Sequence, residues 1–107
     1  MLARILEEHG VATVIVTMMP VWSERFGAPR TLAVEHPYGQ TMGPAGDAVR
    51  QREVFRHALA LLERASEPGH VEESPFAWPD AERWRKAWHP PEPSPIVQLM
   101  LSQRAQR

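Results

Sequence analysis

Residues 27–47 read G-A-P-R-T-L-A-V-E-H-P-Y-G-Q-T-M-G-P-A-G-D. Gly27-Ala28-Pro29 is a turn signal. Thr31 to Val34 is a short apolar, strand-like run, extended by Glu35. A glycine- and proline-rich loop fills 37–46, and Asp47 is placed to cap the longest helical pattern in the chain. Strand, long loop and helix in that order are one edge of an α/β sheet. In open α/β sheets ligands bind beyond the carboxyl ends of the strands, and this loop leaves from such an end.

Working outward, residues 11–18, V-A-T-V-I-V-T-M, are a nearly continuous β-branched run that Pro20 stops. Such a run suits a parallel strand buried on both faces. A helix over 2–9, with Leu2, Ile5, Leu6 and His9 on one face, precedes it and closes at Gly10. A short helix over 21–26, closed by Gly27, connects the two strands, at about the minimum length of a parallel crossover. The helix over 47–65 has an expected apolar stripe of Ala48, Phe55, Ala58, Leu59 and Leu62. The fold expected is α/β, with two parallel strands and one long helix over residues 1–67.

Eleven prolines are many for 107 residues, and seven of them follow Glu67. Residues 68–107 are therefore expected to form an extended arm. Its elements are a short helix ending near Trp88, a polyproline stretch at 89–93, and a last helix over about 95–103. Trp84 and Trp88 are spaced to share a helix face, and Ile96 to Leu101 are mostly apolar. Two strands with one long helix leave apolar surface uncovered, so a second protein subunit that completes the sheet is expected.

A formal net charge of −1 gives no electrostatic reason for nucleic-acid or acidic-membrane binding. Trp78, Trp84 and Trp88 read as a protein interface in preference to base-stacking platforms. No apolar run reaches the ~18 residues of a membrane helix, and Glu7, Glu8 and His9 interrupt any signal-like start, so a cytoplasmic location is expected. The chain has no cysteine. Any thiol or selenol chemistry must come from a partner. The five histidines show neither H-x-x-x-H nor H-E-x-x-H spacing, so no metal site is expected from this chain alone.

From Leu6 to Glu67, a bit over half of the chain, four segments occur in order: L-E-E-H-G-V-A-T-V-I-V, F-G-A-P-R-T-L-A-V, H-P-Y-G-Q-T-M-G-P-A-G-D and R-Q-R-E-V-F-R-H-A-L-A-L-L-E. This set resembles the C-terminal part of the glycine/sarcosine/betaine/D-proline reductase family, of the selenoprotein B and D-proline reductase subunit type. The resemblance implies an α/β protein that reductively cleaves a carbon–nitrogen bond of a small amino-acid-like substrate. In the family the selenocysteine or cysteine lies in the part preceding the matched region. The resemblance thus implies a two-component enzyme whose partner subunit carries Cys or Sec, with this chain a cysteine-free subunit. A non-catalytic stabilising or regulatory subunit is the alternative, and a free-standing ligand-binding module is a weaker third.

Candidate site residues follow the two strands. His36 is the expected acid or base, against the plain reading of a loop histidine. Thr17, Met18 and Met19 follow the first strand at the ligand-binding end, and Tyr38 follows the second; all are expected to contact a small-molecule substrate, against a core-filling role for the methionines. Arg30 has the chemistry to clamp a substrate carboxylate, against a structural role in its turn. Gly39, Gly43 and Gly46 fit no phosphate-loop spacing and read as turn formers.

Overall fold

A computed structural model of the chain describes residues 2–86 and 92–105. The chain forms helix α1 (Leu2–Glu8), strand β1 (Ile15–Thr17), helix α2 (Pro20–Arg25), strand β2 (Arg30–Ala33), helix α3 (Ala48–Arg64), strand β3 (His70–Glu73), helix α4 (Ala81–Lys86) and helix α5 (Pro95–Ala105). The three strands make one parallel sheet in the order β1-β2-β3. Thr17 pairs with Ala33, and Ala33 with Glu73, so all three carboxyl ends lie together.

The α/β class and the parallel pairing match the reading of the sequence; the strand count does not. The third strand lies in the segment assigned to the arm. His70-Val71-Glu72-Glu73 carries one apolar residue and no β-branched run, which hides it from pattern reading. Backbone bonds at both ends hold it to β2. Gly69 N–H donates to the Pro29 carbonyl at 2.8 Å and Ser74 N–H to the Ala33 carbonyl at 2.7 Å. Its charges suit an edge strand, where they discourage further pairing.

β1 is shorter than the apolar run around it and only half-buried. Residues 11–13 turn back to α1. Val11 N–H donates to the Leu6 carbonyl at 2.9 Å, and Thr13 N–H donates to Glu7 Oε1 at 2.6 Å. Backbone groups bonded there are not offered to a strand ladder. The expectation of burial on both faces is corrected accordingly: β1 is an edge strand of this chain, and Val11 is exposed.

One face of the sheet carries the core. Leu32 and Val34 pack with Val54, Ala58 and Leu61 of α3, and Val14, Val16, Met42 and Phe76 close its margins. Leu32, Val54 and Leu61 are fully buried. Burying side chains of this size contributes roughly 1.5–3 kcal/mol each. Residues 54, 58 and 61 are spaced i, i+4, i+7, a single α-helical stripe. The stripe is thus rotated from the expected one: Ala58 is shared, whereas Ala48, Phe55 and Leu59 are exposed. A three-strand sheet offers only a narrow floor, and the wider apolar arc of α3 overhangs it. Asp47 caps this helix as expected, its Oδ1 accepting from Arg50 N–H at 2.9 Å.

The other face is covered thinly by α1 and α2. Thr31 and Ala33 are buried there, and Ile15 lines a groove of about 170 Å³ with Trp22, Phe26 and Ala28. α2 closes at Gly27, whose φ of 65° is left-handed, as a helix-terminating glycine requires. Between β2 and α3 the loop folds as successive turns. Gln40, Gly43 and Asp47 donate their N–H groups to the carbonyls of Pro37, Gln40 and Pro44. Gly43 is needed twice over: its φ is 125°, and a Cβ there would meet Arg50 Cγ at 2.8 Å. α5 has no buried residue. Trp88 and residues 89–91 of the expected polyproline stretch lie outside the described residues.

Candidate functional site

At the carboxyl ends of the three strands lies a cleft of about 260 Å³. Met18 and Pro20 come from the end of β1, Ala33, Val34 and Glu35 from the end of β2, and Glu73 and Ser74 from the end of β3. The parallel register brings these three ends together. The floor is apolar, and two carboxylates and one hydroxyl stand on it. Glu73 and Ser74 enter because of the unforeseen third strand.

His36 sits beside this edge and is only 7% exposed. Its Nδ1 lies 2.9 Å from the Thr41 carbonyl oxygen. A carbonyl only accepts, so Nδ1 carries the proton and donates. In the neutral ring Nε2 then presents a lone pair, and it is buried without a hydrogen-bond partner among the described residues. The ring packs against Trp78, centroids 5.3 Å apart and planes tilted by 59°. Trp78 is also 7% exposed, and its indole N–H likewise has no partner among the described residues. The residue expected as acid or base is thus a tautomer-fixed imidazole under an aromatic cover.

The other expected residues separate into two groups. Thr17 ends β1, and its Oγ1 accepts from Met19 N–H at 3.1 Å, which fixes the turn out of the strand. Met19 and Tyr38 meet on the rim, where the Tyr38 hydroxyl donates to Met19 Sδ at 3.0 Å and the ring is 78% exposed. Met18, Met19, Thr17 and Tyr38 are therefore on the cleft side of the sheet, and Met18 lines the cleft itself.

Arg30 is not with them. It opens β2, at the amino ends of the strands. Its Nη1 donates to Glu7 Oε1 at 2.6 Å and approaches the Thr13 carbonyl at 3.4 Å. The same Glu7 oxygen accepts from Thr13 N–H and, at 2.9 Å, from its hydroxyl. Those Thr13 bonds, with the Arg30 guanidinium, hold the Glu7 carboxyl below the usual carboxylate range. The carboxylate that Arg30 holds here is the chain's own Glu7, which ties α1 to β2, the structural role weighed beside the clamp.

A second carboxylate, Glu72 in β3, ties the sheet to α3. It accepts from Arg64 and, at 2.7 Å, is paired with His57 Nε2. The Arg64 hydrogen bond, then that of His57, lowers its pKa despite partial burial. Among the described residues no group of three or more His, Asp or Glu side chains is arranged to hold a metal ion. No helix of the described residues is long and apolar enough to cross a membrane. Comparison with family models, curated proteins and solved structures finds no match to this chain.

Proposed function

We propose that this chain is the cysteine-free subunit of a two-component enzyme related to the selenoprotein B type reductases. In this reading it adjoins a partner that carries the thiol or selenol nucleophile, and the two share an active site for a small amino-acid-like substrate. The observation that carries the reading is the cleft at the carboxyl ends of the parallel strands. It joins an apolar floor to Glu35, Glu73 and Ser74, with the His36 imidazole beside it, where α/β sheets place their ligands. Cysteine is absent from the sequence, so a thiol for this cleft must come from outside the chain.

Surface chemistry supports the partner. β1 and β3 are both edges, but they differ. Ile15-Val16-Thr17 is uncharged and β-branched, whereas His70-Val71-Glu72-Glu73 is guarded by carboxylates. The partner's sheet would continue from β1. Exposed Leu2, Val21, Trp22 and Phe26 of α1 and α2 would be covered by the same approach. α5 is apolar over most of its circumference, with Ile96, Val97, Leu99, Met100 and Leu101 exposed, as in a helix meant for enclosure.

The alternative of a non-catalytic stabilising subunit also has an observation in its favour. Arg30, Thr17 and Tyr38 each have a partner within the chain. The test is to co-express the chain with a Cys- or Sec-bearing candidate partner from a neighbouring reading frame and to assay reductive cleavage. His36→Ala is expected to lower turnover by roughly the 10²–10⁴-fold of a positioned acid or base while the complex still assembles. Wild-type turnover in that variant would leave the chain as scaffold.

A further inference from the structure

The segment after β3 leaves the sheet and returns across its carboxyl edge. Three contacts fix it there. Trp78 packs on His36 at 5.3 Å between centroids. Trp84 of α4 meets Trp78 edge-on at 6.2 Å and 83°. Arg85 of α4 pairs with Glu35 on the rim of the cleft, fifty positions earlier in the chain.

These contacts are unequal. Trp78 is buried, but α4 has no buried residue, and the Arg85–Glu35 side chains are 63% and 75% exposed. An exposed ion pair is weak and is screened by salt. Between the anchored tryptophan and the weakly held helix stands Asp80, with a φ of 54°, a left-handed conformation uncommon outside glycine. Two buried nitrogens, His36 Nε2 and Trp78 Nε1, have no hydrogen-bond partner among the described residues. Unpaired buried polar groups cost free energy that opening to water recovers. The segment is therefore held over His36 by a buried aromatic contact and an exposed ion pair.

We propose that residues 74–86 form a cover over His36, with Trp78 as the positioning residue that shields Nε2 and the Arg85–Glu35 pair as its latch. Release of the latch presents the Nε2 lone pair to a molecule in the cleft. The inference concerns access to His36 and names the regulation of the site proposed above. Its test on the chain alone fails or succeeds separately from the reductase reading.

The test is carbethoxylation by diethyl pyrocarbonate, mapped by mass spectrometry residue by residue. Exposed His9 and His70 serve as internal controls. In the wild type at low salt, His36 is expected to react far more slowly than either. Arg85→Ala, or 1 M NaCl, should raise the His36 rate by about fivefold, the shift in opening that a surface pair at the upper end of its usual strength supports. His9 and His70 should keep their rates. Trp78→Ala should bring His36 close to them, whereas Trp78→Phe should keep it slow. Arg85 is exposed, so its replacement leaves the core intact if Trp78→Ala fails to fold. Wild-type His36 reacting as fast as His9 would show that there is no cover. A slow His36 indifferent to both Arg85→Ala and salt would show that the ion pair is not the latch, and either result overturns the proposal.

Discussion

Arg30 and Glu7 lock the amino ends of the strands: the guanidinium of the first residue of β2 reaches the last turn of α1 at 2.6 Å. Thr13 shares the same carboxylate oxygen, so helix, strand entry and central strand meet at one atom. Removing Arg30 leaves Glu7 partly buried with Thr13 alone. Arg30→Ala is expected to lower the melting temperature, because Glu7 loses its charge-assisted partner. The KM for substrate in the assembled complex should stay unchanged. Matched melting curves and KM values check this; a raised KM with an unaltered melting temperature would restore the substrate-clamp role.

Acid should loosen the two ties. Glu7 and Glu72 both have folded pKa values below the ordinary value. The unfolded chain then binds protons more tightly than the folded one. Their stabilisation is complete above the unfolded glutamate pKa of about 4.3 and is lost as pH falls through the lower folded values. Denaturant midpoints measured from pH 7 down to pH 3 should fall for the wild type. The double variant Glu7→Gln, Glu72→Gln should start lower and lose less over the same range.

Leu32 and Leu61 face each other's neighbours at full burial. Leu61→Ala should cost about 2–5 kcal/mol, enough to unfold a marginal domain. Leu59→Ala, on the exposed flank of the same helix, should cost far less in the isolated chain. Urea midpoints of the two variants make the comparison.

Much of this fold was legible in 11–65, because β-branched runs, Gly27 and the Asp47 cap each have a local physical cause. β3 was not legible: its pairing depends on the Gly69 and Ser74 bonds to β2, which no four-residue pattern announces. The rotation of the α3 stripe by one residue was hidden for a similar reason. Val54 and Phe55 are both apolar, and only the width of the sheet decides which one is buried. In the cleft, the lining by Met18 follows from its place after a strand, whereas the lining by Glu73 and Ser74 depends on β3. Between the two roles weighed for Arg30, no local pattern pointed to Glu7, its partner twenty-three positions away. Trp78, expected at a protein interface, packs within the chain on His36, a contact no local pattern announces.

Residues 92–105 carry the next test. α5 exposes five large apolar side chains and has no buried residue of its own. Deleting the chain after Glu92 should leave the sheet folded, with an unchanged melting temperature for the α/β part, and release the partner. Co-purification at full stoichiometry would show that α5 is not the clamp.

The lack of cysteine in the chain allows a shared pocket to be tested with a single introduced thiol. Ser74→Cys places a single thiol in the cleft beside Glu73 and Met18. Co-expressed with the Cys-bearing subunit under mild oxidation, this variant should form an intersubunit disulfide to the partner's nucleophilic cysteine, identified by peptide mapping. Arg30→Cys, at the opposite end of β2, should not. An Arg30→Cys adduct, or none from Ser74→Cys in an intact complex, would contradict the shared active site.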